Sequence, residues 1–187
     1  MQSVTNDDKM TEAEVSLRVA IYFILRNISN NLVSVSIDGA QIKTGDTVHF
    51  DIKRFLNEIG AEKICGELEK WQGTYRLPET NSKIEIHSKP GVGDVATRMT
   101  DGSLFVVESK KGSLIKSKSG SEYALMREAI GQLMTNSILN ANKKLAVAIP
   151  LNEKSLDLAE RWSDYPQIKQ IGIKFLLVDR TGELKII

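Results

Sequence analysis

The spacing of apolar and polar residues changes several times along the chain, and each change marks a predicted element. Between residues 11 and 27 apolar positions recur with helical spacing, so this segment is predicted to be a helix. Over residues 32–37 apolar side chains alternate with serines, which is typical of a strand with one buried face. Turn signals divide residues 38–50 into a short meander. We therefore predict that residues 1–50 form a helix and β-meander, which extend a larger domain at 51–187.

Beyond residue 50 the pattern alternates between helical and strand periods. Asp51 begins a predicted helix, and a second apolar stripe predicts another helix from Ala61 to about Trp71. The later predictions are strands at 83–87 and within 93–110, a helix at 121–140, a strand at 143–149, a helix at 152–162 and strands from 173 onward. Short strands that alternate with helices predict an α/β fold, with a mixed central sheet flanked by helices.

One predicted hairpin is unusual because charged residues border an apolar run. Residues 104–107 predict a strand that is buried on both faces, and an Asp-Gly turn signal precedes it. Asp94 begins the first strand of this hairpin, while Glu108 and Lys110 end the second. Since an unpaired buried charge costs several kcal/mol, these charges indicate a site. Two carboxylates at strand ends can hold a divalent cation such as Mg²⁺, and a lysine beside them can bind phosphate.

The length of the hairpin loop decides whether these groups can meet, because side chains alternate between the two faces of a strand. A two-residue turn would place Asp94 opposite Ser109 and leave Glu108 on the other face. A three-residue loop that ends in a left-handed Gly102 would place Asp94 opposite Glu108, with Lys110 on the same face. The Asp-Gly pair is compatible with both loops, and a bulge elsewhere would also restore the parity. The functional interpretation requires Asp94 and Glu108 to share a face.

Composition limits the other interpretations. The 187 residues are 41% hydrophobic and 26% charged with a net charge of +1, so nucleic-acid binding would have to come from local patches. Cys65 is the only cysteine, which excludes a disulfide framework and a thiolate metal cluster. The N-terminus lacks the pattern of a signal peptide, and the apolar stretch 17–25 is too short to span a membrane. We therefore expect a cytoplasmic protein without a membrane partner.

The order of predicted elements and the spacing of Asp94, Glu108 and Lys110 resemble the PD-(D/E)XK nuclease superfamily. The resemblance covers residues 51–150 and implies a restriction-endonuclease-like αβββαβ core, made of a helix, three antiparallel strands, a helix and a further strand. It also implies that Asp94, Glu108 and Lys110 are catalytic. Asp94, Glu108 and the main-chain carbonyl of Ser109 would then hold Mg²⁺, and Mn²⁺ can take the same ligands.

The same resemblance assigns roles to residues outside the hairpin. Gly93 stands where the family has a proline. Some branches of the family carry a glutamine on the helix after the third strand, and Gln132 matches that position as a catalytic residue. An acid from the helix before the first core strand often joins the metal site, and we favour Glu67 over Glu69 for it. Three lysines after the hairpin are expected to contact DNA phosphates: Lys111, Lys116 and Lys118.

Three functions stay open at this point. The preferred one is a metal-dependent DNA endonuclease. The alternatives are an exonuclease or Holliday-junction resolvase of the same fold, and a non-catalytic nuclease-like module that binds DNA or assembles with other proteins. The presence of Asp94, Glu108 and Lys110 together favours an enzyme, in which Lys110 is expected to pair with the two carboxylates before metal enters. Cutting both strands would favour a homodimer or larger homo-oligomer, since each site cuts one strand.

Overall fold

The computed structural model describes residues 8–115, 120–136 and 142–187. Its helices are α1 (Glu12–Leu25), α2 (Gly39–Ile42), α3 (Ile52–Glu58), α4 (Ser121–Asn136), α5 (Glu153–Ser163) and α6 (Pro166–Ile171). Its strands are β1 (Lys9–Met10), β2 (Ser29–Ser36), β3 (Lys43–Thr44), β4 (Thr47–Val48), β5 (Glu62–Cys65), β6 (Gly73–Arg76), β7 (Lys83–His87), β8 (Val95–Met99), β9 (Leu104–Ser109), β10 (Gly112–Ser113), β11 (Lys143–Pro150), β12 (Ile173–Val178) and β13 (Leu184–Ile186). None of the helices within these ranges has the length and apolar character that crossing a membrane requires.

Most of the described strands form one mixed sheet, in the order β13-β12-β11-β9-β8-β2-β7-β6-β5. β11 is parallel to both β9 and β12, and β2 is parallel to β7. The other neighbours in the sheet are antiparallel. Two short pairs, β1–β10 and β3–β4, lie outside it. The prediction of an α/β fold with a mixed central sheet flanked by helices is confirmed.

Helices cover the sheet on both faces. α1 packs against β2, β9 and β11 on one face, where its Phe23 joins a hydrophobic core that includes Val107. On the other face α4 packs against β9 and β11, and its Met126 joins a second core that includes Val106. Because the neighbours Val106 and Val107 belong to different cores, β9 is buried on both faces, as its apolar run predicts. The strand that ends in the charged residues is therefore enclosed between two helical layers.

Side-chain caps set the first residues of α1 and α3. Thr11 Oγ1 accepts a hydrogen bond from the Glu14 N–H at 3.1 Å, so α1 begins at Glu12. Asp51 Oδ1 accepts one from the Arg54 N–H at 3.0 Å at the start of α3. Each cap satisfies a backbone donor that has no partner inside the helix. The Thr11 cap places Glu12 in the first turn of α1.

The helix predicted for residues 61–71 is wrong. This segment begins with β5, which pairs antiparallel with β6, and Gly66 follows with a φ of +105°, a value that a helix cannot contain. The apolar stripe that predicted the helix is not buried, since Ile64 is 39% and Leu68 81% exposed. Strand pairing at the sheet edge therefore overrides the helical spacing of these side chains.

The boundary predicted at residue 50 does not coincide with a break in the sheet. β2, within the predicted extension, lies between β7 and β8 near the middle of the sheet. α1 packs across the same sheet, and its side chains share a core with those of β8 and β9. The helix and first strand that accompany the hairpin therefore come from residues 12–36, and residues 38–92 are inserted between that strand and β8.

Candidate active site

The loop between β8 and β9 is the three-residue loop that the functional interpretation requires. Gly102 has a φ of +81°, and its N–H donates to the Met99 carbonyl at 2.9 Å. The Met99 N–H donates to the Ser103 carbonyl at 2.8 Å, which closes the loop. Val95 then lies opposite Val107, so the same register places the preceding Asp94 opposite Glu108.

Hydrogen bonds from two strands hold Asp94 in place. The Asp94 carboxylate accepts, at Oδ2, a hydrogen bond of 2.8 Å from the Ser109 N–H of β9. Its main-chain carbonyl accepts another, also of 2.8 Å, from the Ser36 N–H of β2. A side chain held by a backbone donor loses little further entropy when it binds a ligand. Asp94 is thus fixed at the point where β8 leaves the sheet.

Asp94 and Glu108 form a carboxylate pair that is poorly compensated by positive charge. Glu108 is 6% exposed and Asp94 is half-buried. Burial, then the negative charge of Asp94, raises the pKa of Glu108 to about 7. Burial also raises the pKa of Asp94 to about 6, against the opposing effect of the hydrogen bond from Ser109. Both shifts have the sign expected where a cation would be favourable.

Lys110 is buried with acids from both helical layers. It is 3% exposed, and its Nζ lies 3.2 Å from Glu128 Oε1 on α4 and 3.9 Å from Glu12 Oε2 on α1. The expectation that Lys110 pairs with Asp94 and Glu108 is therefore corrected, because its ion pairs in the described chain are with Glu12 and Glu128. The helices bring acids to the end of β9, and the lysine side chain reaches past the strand toward them.

Glu12 is the residue that the sequence interpretation missed. Its pKa is raised by burial, although the charge of Lys110 opposes that shift, and Gln41 Nε2 donates to Glu12 Oε1 at 2.8 Å. In the sequence it is an ordinary acid in the first turn of a helix, where acids are common. The sequence prediction instead expects the acid that precedes the first core strand within residues 61–71. No periodic signal in the sequence marks Glu12, because only the packing of α1 against the sheet brings it to Lys110.

Glu67 does not lie with the carboxylate pair, so its assignment as a metal ligand is corrected. It follows β5 in the loop to β6 and pairs with Lys70 at 2.7 Å. β5 is the edge of the sheet, and four strands separate it from β9. Residues 62–65 pair with β6 instead of forming the helix predicted at 61–71, and this pairing leaves Glu67 in an exposed loop.

The remaining predicted residues lie beside the site or outside the described chain. Lys111 is exposed next to Lys110, and its charge lowers the pKa of Glu12. Gln132 lies on α4 one turn after Glu128, and its Oε1 is buried without a hydrogen-bond partner in the described chain. The catalytic role of Gln132 stays a prediction. Lys116 and Lys118 lie outside the described residues.

Close packing accounts for glycine before Asp94. A Cβ on Gly93 would lie 2.6 Å from Val106 Cγ1 and 3.0 Å from the Val107 carbonyl oxygen. We expect Gly93→Ala to lower the free energy of unfolding by about 1–3 kcal/mol, because a buried valine and a strand backbone must move. Gly131→Ala is the control: an added Cβ in α4 meets nothing within 4 Å, and stability should rise by up to about 1 kcal/mol. Denaturant unfolding of both variants measures this, and a Gly93→Ala protein as stable as the parent would contradict the packing argument.

The donor set fits a hard divalent cation. Within the described ranges no three His, Cys, Asp or Glu side chains form a ready-made metal cluster. Mg²⁺ does not require one, since it is often held by one or two carboxylates together with waters and substrate phosphates. Asp94 and Glu108 supply two such carboxylates on one face. Ser109 Oγ is buried without a hydrogen-bond partner in the described chain, but alternation along β9 places it on the face opposite Glu108, so of Ser109 only the main-chain carbonyl belongs to the predicted ligand set.

Comparison with known proteins gives no further evidence on the function of this site. No family model matches the chain, and neither a curated protein nor a solved structure matches it. The interpretation of the site therefore depends on its residues, their register on β8 and β9, and the burial of their charges.

Proposed function

We propose that the protein is a metal-dependent nuclease that hydrolyses phosphodiester bonds in DNA as an endonuclease. One observation carries the proposal: Asp94 and Glu108 face each other across β8 and β9, with the buried Lys110 on the same face. Two carboxylates and a lysine are the groups that metal-assisted phosphodiester hydrolysis uses. The raised pKa values of the two carboxyl groups support it, because they show that burial destabilises the ionised carboxylates, and a bound cation would offset that cost.

The topology around the pair supports a restriction-endonuclease-like core. α1 is followed by the antiparallel neighbours β2, β8 and β9, then by α4 and by β11, which runs parallel to β9. This is the αβββαβ order that the resemblance implies, although its first helix and strand come from residues 12–36. The proposed core thus differs from the sequence prediction in its boundaries and agrees with it at the hairpin.

Each residue of the site has a defined task in this proposal. Asp94, Glu108 and the main-chain carbonyl of Ser109 would hold Mg²⁺ or Mn²⁺. A bound cation supplies Lewis-acid polarisation of a phosphate oxygen and a water of lowered pKa. Lys110 supplies positive charge where negative charge develops on the phosphate. Glu12 and Glu128 hold the Lys110 ammonium group in position.

The burial of Lys110 favours an enzyme over a non-catalytic DNA-binding module. A lysine that only contacts DNA phosphates works from the surface, where it costs no desolvation. Lys110 instead lies buried among four acids, Glu12, Asp94, Glu108 and Glu128, which would repel a nucleic acid unless a cation also bound. An exonuclease or a Holliday-junction resolvase with the same site remains the second candidate.

Three substrates offered in parallel test the proposal. Supercoiled plasmid, linear duplex and a four-way junction are each incubated with the full chain, in Mg²⁺ and in EDTA. Nicking or linearisation of plasmid in Mg²⁺ alone is the expected result; loss of linear duplex only from its ends, or cleavage of the junction only, would identify the second candidate. Glu108→Gln, purified in the same way, controls for contaminating nucleases. If the protein binds these substrates but cleaves none of them, the nuclease proposal is wrong and the non-catalytic DNA-binding module is favoured.

A further inference from the structure

A groove runs along the start of α1, beginning at Glu12, which is one of the four acids around Lys110. It consists of two adjoining clefts of about 420 Å³ and 530 Å³, which share Thr11, His49 and Lys111. Glu12 lines the smaller cleft, so this end of the groove opens beside the ion pair of Glu12 and Lys110. The larger cleft extends toward α3 and the turn before β13. The groove thus begins at Glu12, one of the two acids that pair with Lys110.

Cations outnumber acids along the larger cleft. They come from five separate segments of the chain: Lys9, Arg18, Arg54, Lys111 and Arg180. The acids are Glu14, Asp51 and Glu58. Glu14 pairs with Arg18 at 3.0 Å, and Glu58 pairs with Arg54 at 2.7 Å. Lys9 and Lys111 make no ion pair with another described residue, so their charges are available to an anion.

Side-chain hydrogen bonds join the walls of the groove. Arg18 Nη1 donates to the Arg180 carbonyl oxygen at 2.7 Å, and Arg180 Nη2 donates to the Lys9 carbonyl oxygen at 2.9 Å. These contacts tie α1, the turn before β13 and β1 to one another. A preformed groove requires less ordering when a ligand binds, which improves affinity.

Two aromatic rings lie among these cations. Phe50 and Phe55 both line the larger cleft and are half-buried, with ring centroids 5.4 Å apart. The guanidinium group of Arg18 lies 5.2 Å from the centroid of the Phe55 ring, which leaves Phe50 as the ring without a cation over it among the described residues. Positive charge combined with an aromatic face is the arrangement that binds single-stranded nucleic acid: phosphates contact the cations and a base stacks on the ring.

We propose that this groove binds a single-stranded segment of the nucleic-acid substrate and guides it to Asp94 and Glu108. The inference rests on the proposed nuclease function and adds a substrate class to it, namely DNA with a single-stranded tail or an opened strand. Lys9 and Lys111 contact its phosphates, and Phe50 stacks on one base. Arg54 also contacts a phosphate, since its side chain is largely exposed and only its Nε pairs with Glu58. A blunt duplex, whose bases are paired and stacked on each other, cannot present a base to that ring.

Binding of a fluorescein-labelled oligonucleotide to the full chain, measured by anisotropy in EDTA, tests the groove. The single strand should bind more tightly than a blunt duplex of the same sequence. In Lys9→Gln/Arg54→Gln, affinity for the single strand should fall about tenfold or more, and the salt dependence of log K should decrease by about 0.7 for each lost phosphate contact. Lys154→Gln/Lys169→Gln removes two cations, one each from α5 and α6, that line neither cleft, and it should behave as the parent.

Phe50→Leu separates stacking from charge. It should lower single-strand affinity about fivefold or more with an unchanged salt dependence, because a stacked base contributes independently of ions. Melting temperatures identify any variant that fails to fold. If Lys9→Gln/Arg54→Gln fails to fold, Lys9→Gln alone replaces it. Affinities in both groove variants equal to those of the matched control, or a parent that does not bind the single strand, would overturn the inference.

Cleavage assays distinguish failure of the groove inference from failure of the proposed nuclease function. If the parent cleaves DNA and the groove variants cleave with an unchanged KM, the nuclease stands and the groove is not the substrate path. If the groove variants lose binding while no protein cleaves, the groove stands and the nuclease proposal fails. A raised KM with kcat preserved in Lys9→Gln/Arg54→Gln is the result that supports both.

Discussion

Lys110→Ala is expected to lower the rate of DNA cleavage at least about 10²-fold, which corresponds to roughly 3 kcal/mol of transition-state stabilisation. Lys110 is 3% exposed and its charge acts on Glu108 of the carboxylate pair, so this charge is little screened by solvent. Asp94 and Glu108 remain able to bind metal in this variant. Affinity for DNA should therefore change little, because it depends on the surface cations. Single-turnover cleavage and anisotropy on the same protein separate the two quantities.

Three further variants make this result interpretable. Asp94→Asn should weaken Mg²⁺ binding itself, so a higher Mg²⁺ concentration should partly restore its activity, whereas it should not restore Lys110→Ala. Lys144→Ala is the matched control, since Lys144 is an exposed lysine of β11 that pairs with Asp101 away from the carboxylates. Removal of Lys110 leaves Glu12 and Glu128 without their cation, so melting temperatures are measured in parallel, with Lys110→Gln as a more conservative variant. A Lys110→Ala protein that cleaves as fast as the parent would refute the hydrolytic mechanism.

The hairpin could be predicted from the sequence because its geometry is local. Once Gly102 adopts a left-handed conformation, alternation along the strands places Asp94 opposite Glu108 without reference to any other part of the chain. The burial of residues 104–107 on both faces is local in the same sense, since a continuous apolar run has no polar face to expose. Loop length remained ambiguous in the sequence, because an Asp-Gly pair is compatible with more than one turn.

The surroundings of the hairpin could not be predicted, because they depend on contacts between distant segments. Glu12 reaches Lys110 only because α1 crosses the sheet and β2 pairs with β8, and neither contact leaves a periodic signal. The ion pair of Lys110 with Glu128 depends likewise on how α4 packs against β9. The wrong helix at 61–71 has the opposite cause, because an apolar spacing that suits a helix occurs there in a strand and loop at the sheet edge.

The unfolding free energy of the metal-free protein is expected to fall as the pH rises from about 4.5 to about 7. In the folded protein the pKa of Asp94 is about 6 and that of Glu108 about 7, because partial or full burial disfavours their ionised forms. The unfolded chain releases the same protons near pH 4. Between these limits the folded state binds more protons than the unfolded state, so its stability decreases with pH. The contribution is fully present below about pH 4 and lost above about pH 7.

The size of this effect follows from the protons involved. Each proton that only the folded state holds contributes about 1.4 kcal/mol per pH unit. That slope applies best to Glu108, which is 6% exposed, while solvent around the half-buried Asp94 reduces its share. Because the two groups interact, the pair takes up its protons jointly. The variant Asp94→Asn/Glu108→Gln cannot take up these protons, so the part of the slope due to the pair should vanish, and it should be the more stable protein near pH 8.

Mg²⁺ should reverse this loss of stability near pH 8, because a cation favours the ionised carboxylates that the protein otherwise keeps close together at a cost. At a concentration of about 100 times the dissociation constant, the stabilisation should reach about 2.7 kcal/mol. Near pH 5 protons occupy the same carboxylates, so the same concentration should stabilise the protein less. Denaturant unfolding in Mg²⁺ and in EDTA at both pH values measures this without any substrate. Equal stability in Mg²⁺ and in EDTA near pH 8 would exclude Asp94 and Glu108 as a metal site, whatever nucleic acid the protein binds.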